Sequence, residues 1–271
     1  MNHAETIASF INLAEEKLQL LRSNPLGFLI SSVFAGAYVG IGIILIFSVG
    51  QAADPTIRPL VMGASFGIAL TLVIFAGSEL FTGYTMYMTL GMLNGSISMR
   101  SLVATWVSSW IGNLLGSGLL ALLFVGGGGG HILKHDATLL FDVASQKMNS
   151  APLPLLARAI LCNWLVCLAL WMSARTKSDA AKCILIFWCL FAFISSGFEH
   201  SVANMTLFSI ALLSEHPETV SLYGMFHNLF WVTLGNTISG SVFVALGYWC
   251  IARPAKSGVA ENVSESKKRA P

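Results

Sequence analysis

Gly77-Ser78-Glu79-Leu80 and, 120 positions later, Gly197-Phe198-Glu199-His200 each place one glycine and one carboxylate in the middle of a long apolar run. Across residues 59–99 the only Asp, Glu, Lys or Arg is Glu79, and across 183–214 it is Glu199. These runs are 41 and 32 residues long, whereas about 20 apolar residues carry a helix across a bilayer. Excess length, a central acid and neighbouring glycines together predict two broken helices with unwound backbone inside a membrane. Such backbone is tolerated only where protein or a water-lined cavity satisfies its amides. A carboxylate at that depth needs an interior position and partners. Glu79 and Glu199 are accordingly expected to accept hydrogen bonds from amides freed at the breaks, in preference to touching a solute.

Four further runs complete the pattern. Residues 23–53, 101–133 and 219–252 contain none of the four charged types, and 151–174 contains only Arg158. With the two long runs this predicts an all-α membrane protein of six spans. The composition agrees: 10% of residues are charged, against about 25% in a soluble domain. A net charge of +2, scattered along the chain, argues against a nucleic-acid partner. The five cysteines all lie in apolar runs without metal-ligand spacing, and read as small buried hydrophobes.

Ile7, Phe10, Ile11, Ala14, Leu18 and Leu21 recur at helical spacing among charged residues. Residues 1–22 therefore predict an amphipathic helix on the membrane face or against the protein, and 253–271 a flexible polar tail. With both termini placed in the cytoplasm, 11 of the 15 Lys and Arg residues fall inside, as the positive-inside rule requires. The channel domain is 23–252.

The breaks belong to a larger repeat. Gly112-Asn113 and Gly235-Asn236 are 123 positions apart, nearly the offset of the Gly-x-Glu motifs, so 23–125 and 151–252 read as two copies of one unit. Three spans per copy is an odd number, which turns the second copy upside down relative to the first. Such inverted repeats place their site at the repeat interface near mid-membrane. At a broken helix the second half presents its N-terminal amides and positive dipole end inside the membrane, a favourable position for an anion. Among the six histidines only His200 lies at such a position, and it is the candidate central residue. His131, His135 and Asp136 read as an exposed loop and not as a metal site. No metal, other cofactor or catalytic residue is expected.

The same residues carry a family resemblance. Asn24-Pro25-Leu26-Gly27, residues 77–82, residues 163–169, residues 197–205 and Gly235-Asn236 resemble the bacterial formate/nitrite transporter family over all six spans. The resemblance implies an aquaporin-like homopentamer in the cell inner membrane. Each protomer would hold a pore for nitrite or a related small anion, with formate or another monocarboxylate as the alternative solute. It implies hydrophobic constrictions at Leu70, Leu80 and Phe193, with Phe66, Phe81 and Val166 nearby. Thr82 and Asn163 would line the path, His200 would be the central pore histidine, and Lys147 would attract anions at the outer vestibule. Asn204 joins Glu79, Glu199, Gly77 and Gly197 in supporting the breaks. Glu79 stands where the formate channel's motif has Asp, and Gly83-Tyr84 also departs from that motif. A water or glycerol channel would show paired Asn-Pro-Ala motifs at mid-membrane, whereas the similar element here is Asn24-Pro25-Leu26, before the first span; a multi-span enzyme would show a catalytic motif, and none is recognisable.

Overall fold

Asn24 opens the first long helix. Its Oδ1 accepts from the Gly27 amide at 2.9 Å, and Pro25 occupies the first turn, where no N–H is needed. The computed structural model describes residues 2–252; the expected tail at 253–271 lies outside them. Every regular element among the described residues is helical.

The first elements are α1 (His3–Ser23), α2 (Pro25–Ala52), α3 (Arg58–Ser65), α4 (Gly67–Phe75), α5 (Phe81–Asn94) and α6 (Met99–Gly126). They are followed by α7 (Leu139–Met148), α8 (Pro152–Ala174), α9 (Asp179–Ser195), α10 (Ser201–Leu213) and α11 (Leu222–Ile238). A π-helical stretch (Ser239–Leu246) joins α11 to α12 (Gly247–Ala252). Five of the predicted spans contain a helix long and apolar enough to cross a membrane: α2, α3–α4, α6, α8 and α11–α12. The remaining span is divided into α9 and α10. At 17 and 13 residues, neither half alone reaches the about 20 that a crossing takes. Phe34, Val107, Leu123, Trp188 and Phe230 are exposed on the helices' outer faces, as lipid contact demands.

Both expected breaks are present, and both close in the same way. Gly77 and Gly197 adopt φ of 73° and 69°, left-handed values that glycine takes without the penalty a Cβ would bring. The next amide then reaches back five residues: Ser78 donates to the Val73 carbonyl and Phe198 to the Phe193 carbonyl, each at 3.0 Å. This closure satisfies carbonyls that the helix end would otherwise leave unpaired in the membrane.

Two asparagines tie the loops down. Asn113 Nδ2 donates to the carbonyls of Ser32 and Glu79 at 2.8 and 2.9 Å, and its Oδ1 accepts from the Phe81 amide at 2.9 Å. Asn236 repeats the set: Nδ2 donates to Ala159 and Glu199 carbonyls at 2.9 and 3.1 Å, and Oδ1 accepts from the Ser201 amide at 2.9 Å. The Gly-Asn motif follows from this geometry. A Cβ at Gly112 would overlap Ser32, and one at Gly116 would overlap the Val33 carbonyl. Small residues thus let α6 approach α2 closely enough for Asn113 to reach across.

The amphipathic helix packs on the protein. A capping box between Asn2 and Glu5 starts α1, and Ile7, Phe10, Ile11, Ala14 and Leu18 are buried beneath it. Phe10 stacks on Tyr87 and Trp171 with ring centroids 6.3 and 5.8 Å apart. Two residues depart from the sequence reading: Cys183 and Cys250 are exposed, whereas Cys162, Cys167 and Cys189 are buried. Apolar runs on helices at the rim of the fold point some of their side chains outward.

Candidate functional site

Side chains of α4, α8 and α9 meet those of Leu80 and His200, the residues that precede α5 and α10. Phe66, Leu70, Leu80, Val166, Phe193 and His200 surround a gap of about 10 Å³ there. That is at the lower limit for holding one water, so the apolar side chains close the path. The rings of Phe66 and Phe193 meet edge to face with centroids 5.5 Å apart. Phe193 in turn lies parallel to the His200 imidazole at 6.0 Å.

Beyond this gap opens a cavity of about 540 Å³, lined among others by Arg58, Lys147, Arg158, Glu199, His200 and Asn204. His200 therefore lines both the apolar gap and the polar cavity. Its ring is held by two contacts. As the cap of α10, its Nδ1 accepts from the Ala203 amide at 3.2 Å. Its Nε2 lies 3.1 Å from the Thr82 hydroxyl. An N–H donor facing Nδ1 leaves that nitrogen unprotonated, so the neutral ring carries its hydrogen on Nε2, toward Thr82. The Ser201 amide is likewise taken, by Asn236. With these two amides engaged, the positive end of α10 acts on the site through its dipole.

Thr82 is placed by a polar clamp behind the gap. Its carbonyl accepts from the Thr85 hydroxyl at 2.6 Å and from Asn163 Nδ2 at 3.3 Å. Asn163 Nδ2 also donates to Thr85 Oγ1 and the Asn236 carbonyl, at 3.0 and 2.7 Å. The π-helical stretch makes room for this: a Cβ at Gly240 would overlap Thr85 Oγ1. Thr82 and Asn163 are fully buried and line neither the gap nor the cavity. Phe81, placed near the constriction by the sequence reading, lines a groove between α6 and α11 with Trp106 and Trp110.

The acidic residues correct the sequence expectation. Among the described residues neither carboxylate accepts from a freed amide; Asn113 and Asn236 take the bonds of the Phe81 and Ser201 amides. Glu79 is paired with Lys17 at 2.6 Å and accepts from the Tyr84 hydroxyl at 2.7 Å. Glu199 is paired with Lys147 at 2.9 Å and accepts from Asn204 Nδ2 at 2.7 Å. Asn228 completes the second set, accepting from Asn204 and donating to the Lys147 carbonyl, both at 2.9 Å. The lysines come from α1 and α7, which directly precede the long helices α2 and α8. Desolvation forces this arrangement, since a buried carboxylate is stable only when paired and fully hydrogen-bonded. Lys17, Tyr84, Asn113, Asn228 and Asn236 escaped the site prediction. The Gly-Asn repeat was the one available signal, for Asn113 and Asn236.

Comparison with known proteins matches this architecture. The family model of the formate/nitrite transporter matches residues 4–250. The chain is 53% identical over 252 residues to the nitrite transporter NirC of Escherichia coli (strain K12), covering 93% of each. An FNT family ion channel superposes with a TM-score of 0.90 at 53% identity, over 92% of this chain and 100% of the other. A pentameric formate channel with formate bound superposes with a TM-score of 0.72 at 28% identity, over 83% of this chain and 96% of that one.

Proposed function

This chain belongs to the formate/nitrite transporter family, and from that premise we propose that it conducts nitrite across the bacterial inner membrane through a pore in each protomer. It is a channel or transporter, not an enzyme. In this reading the six spans form two inverted units of three, both termini face the cytoplasm, and the protomers assemble as a pentamer. The identical closures at Gly77 and Gly197, and the identical bonding of Asn113 and Asn236, support the repeat. The pentameric state of the related formate channel supports the assembly.

One observation carries the pore reading: His200 stands at the junction of the polar cavity and the apolar gap. An anion leaving water for an apolar constriction loses its hydration, and an uncompensated buried charge is prohibitively costly. The cavity reduces that cost in steps. Its basic side chains Arg58 and Arg158 concentrate anions, while the charge of Lys147 is taken up by Glu199. The α10 dipole and the His200 Nε2–H, which an anion at the junction takes over from the Thr82 hydroxyl, then replace part of the hydration shell. Leu70, Leu80 and Phe193 exclude water and larger solutes at the narrowest point. Lending a proton to the solute requires His200 first to be protonated at Nδ1, which breaks its bond with the Ala203 amide.

Flux of nitrite, formate and chloride into liposomes holding the purified protein, across pH 5 to 8, tests this function. Nitrite flux above formate and chloride is expected. Faster formate flux would transfer the assignment to a formate channel on the same scaffold, and absence of all three fluxes would refute the pore.

A further inference from the structure

Lining the larger cavity are three cations, Arg58, Lys147 and Arg158, and one acid, Glu199. Lys147 and Glu199 cancel as an ion pair at 2.9 Å. Arg58 is partly committed, its Nε and Nη2 donating to the carbonyls of Gly50 and Ala53 at 2.9 and 3.3 Å. Arg158 differs from both. It is half-buried, and among the described residues its guanidinium has neither an acidic partner within 4.0 Å nor a hydrogen bond. Arg158, Cys162 and Val166 follow one another at four-residue spacing on α8, which turns them toward one side of the helix. Val166 lines the apolar gap, so Arg158 stands about two turns, or about 12 Å, before it along the helix axis.

We propose that Arg158 is a two-point receptor for small two-oxygen anions, which it selects over halides before they reach His200. The inference rests on the channel reading and deepens it. A guanidinium presents parallel N–H groups in a rigid fork that matches two oxygens on one atom. Nitrite and formate both carry two such oxygens, whereas chloride offers a single centre and gains only charge attraction. The charge of Arg58, offset only in part by Asp54 nearby, adds to the field in the same cavity and steers any anion inward. Arg158 is thereby the selective group and Arg58 a general attractor.

Liposome flux of nitrite and chloride, with calorimetric titration of nitrite into the purified protein, tests the receptor. Arg158→Lys keeps the charge and removes the fork. Its nitrite-to-chloride flux ratio is expected to fall about tenfold, the lower end for one charge-assisted hydrogen bond. Arg158→Gln is expected to raise the half-saturating nitrite concentration about tenfold and flatten its dependence on ionic strength. Lys134→Gln, outside this cavity, keeps wild-type values. An unchanged ratio in the lysine variant together with an unchanged half-saturation in the glutamine variant would overturn the receptor. Should the wild type conduct neither anion, the channel reading fails and calorimetry decides the receptor alone. Nitrite binding lost in Arg158→Gln then supports it, and binding retained refutes it.

Discussion

The Thr82 hydroxyl lies 3.1 Å from Nε2 of His200, so a side chain from the first break meets one from the second, 118 residues away. Ala203 holds the opposite ring nitrogen, which leaves Nε2 as the hydrogen-bearing atom. Thr82 is thus the acceptor that orients the one N–H His200 can offer.

Thr82→Val keeps the shape and removes the acceptor. Nitrite flux is expected to fall about fivefold, as loss of one net hydrogen bond implies, while Thr82→Ser retains it. Liposome flux normalised to protein amount measures this, and a valine variant with wild-type flux would remove Thr82 from the mechanism.

Lys147 and Glu199 are a pair withdrawn from water, the carboxylate 1% exposed and the lysine side chain 20%. Breaking such a pair strands a buried charge, at a cost of about 3–5 kcal/mol, whereas removing both partners costs far less. Lys147→Met is therefore expected to lower the thermal midpoint in detergent more than Lys147→Met with Glu199→Gln. The opposite ranking would show that the lysine is not the partner that stabilises the buried Glu199 carboxylate.

Asn236 makes three hydrogen bonds that hold the second break to α8 and α10. Asn236→Ala leaves the Ser201 amide and the Glu199 carbonyl without these partners in a dry interior, while the Ala159 carbonyl keeps its bond within α8, and each orphaned group costs about 1–3 kcal/mol. A stability loss of at least about 2 kcal/mol is expected on that basis, read from denaturation in detergent. A loss below about 1 kcal/mol, the worth of a single bond, would mean the loop is held elsewhere.

Much of the fold is legible from residues close together in the chain. Charge-free runs, a lone acid inside two over-long runs and the glycine beside it are local facts, because lipid makes hydrophobicity and backbone satisfaction nearly one-dimensional requirements. His200 was marked by the same logic, as an ionisable group at a break. The partners of Glu79 and Glu199 were not legible. Lys17 looks like one charge among several on an amphipathic helix, and Lys147 like the anion-attracting vestibule lysine that the family resemblance implies.

The sequence by itself determined the helical spans, the two breaks, the repeated Gly-Asn motif and the histidine between them. Tertiary structure alone decided who satisfies whom. It set Lys17 against Glu79 and Lys147 against Glu199, Asn113 and Asn236 against the loop amides, and Thr82 against His200. The physical reason is that a buried polar group must find a partner but carries no mark of which one. Only helix packing, with small residues where helices cross, brings residues far apart in the chain to within about 3 Å, the length of a hydrogen bond.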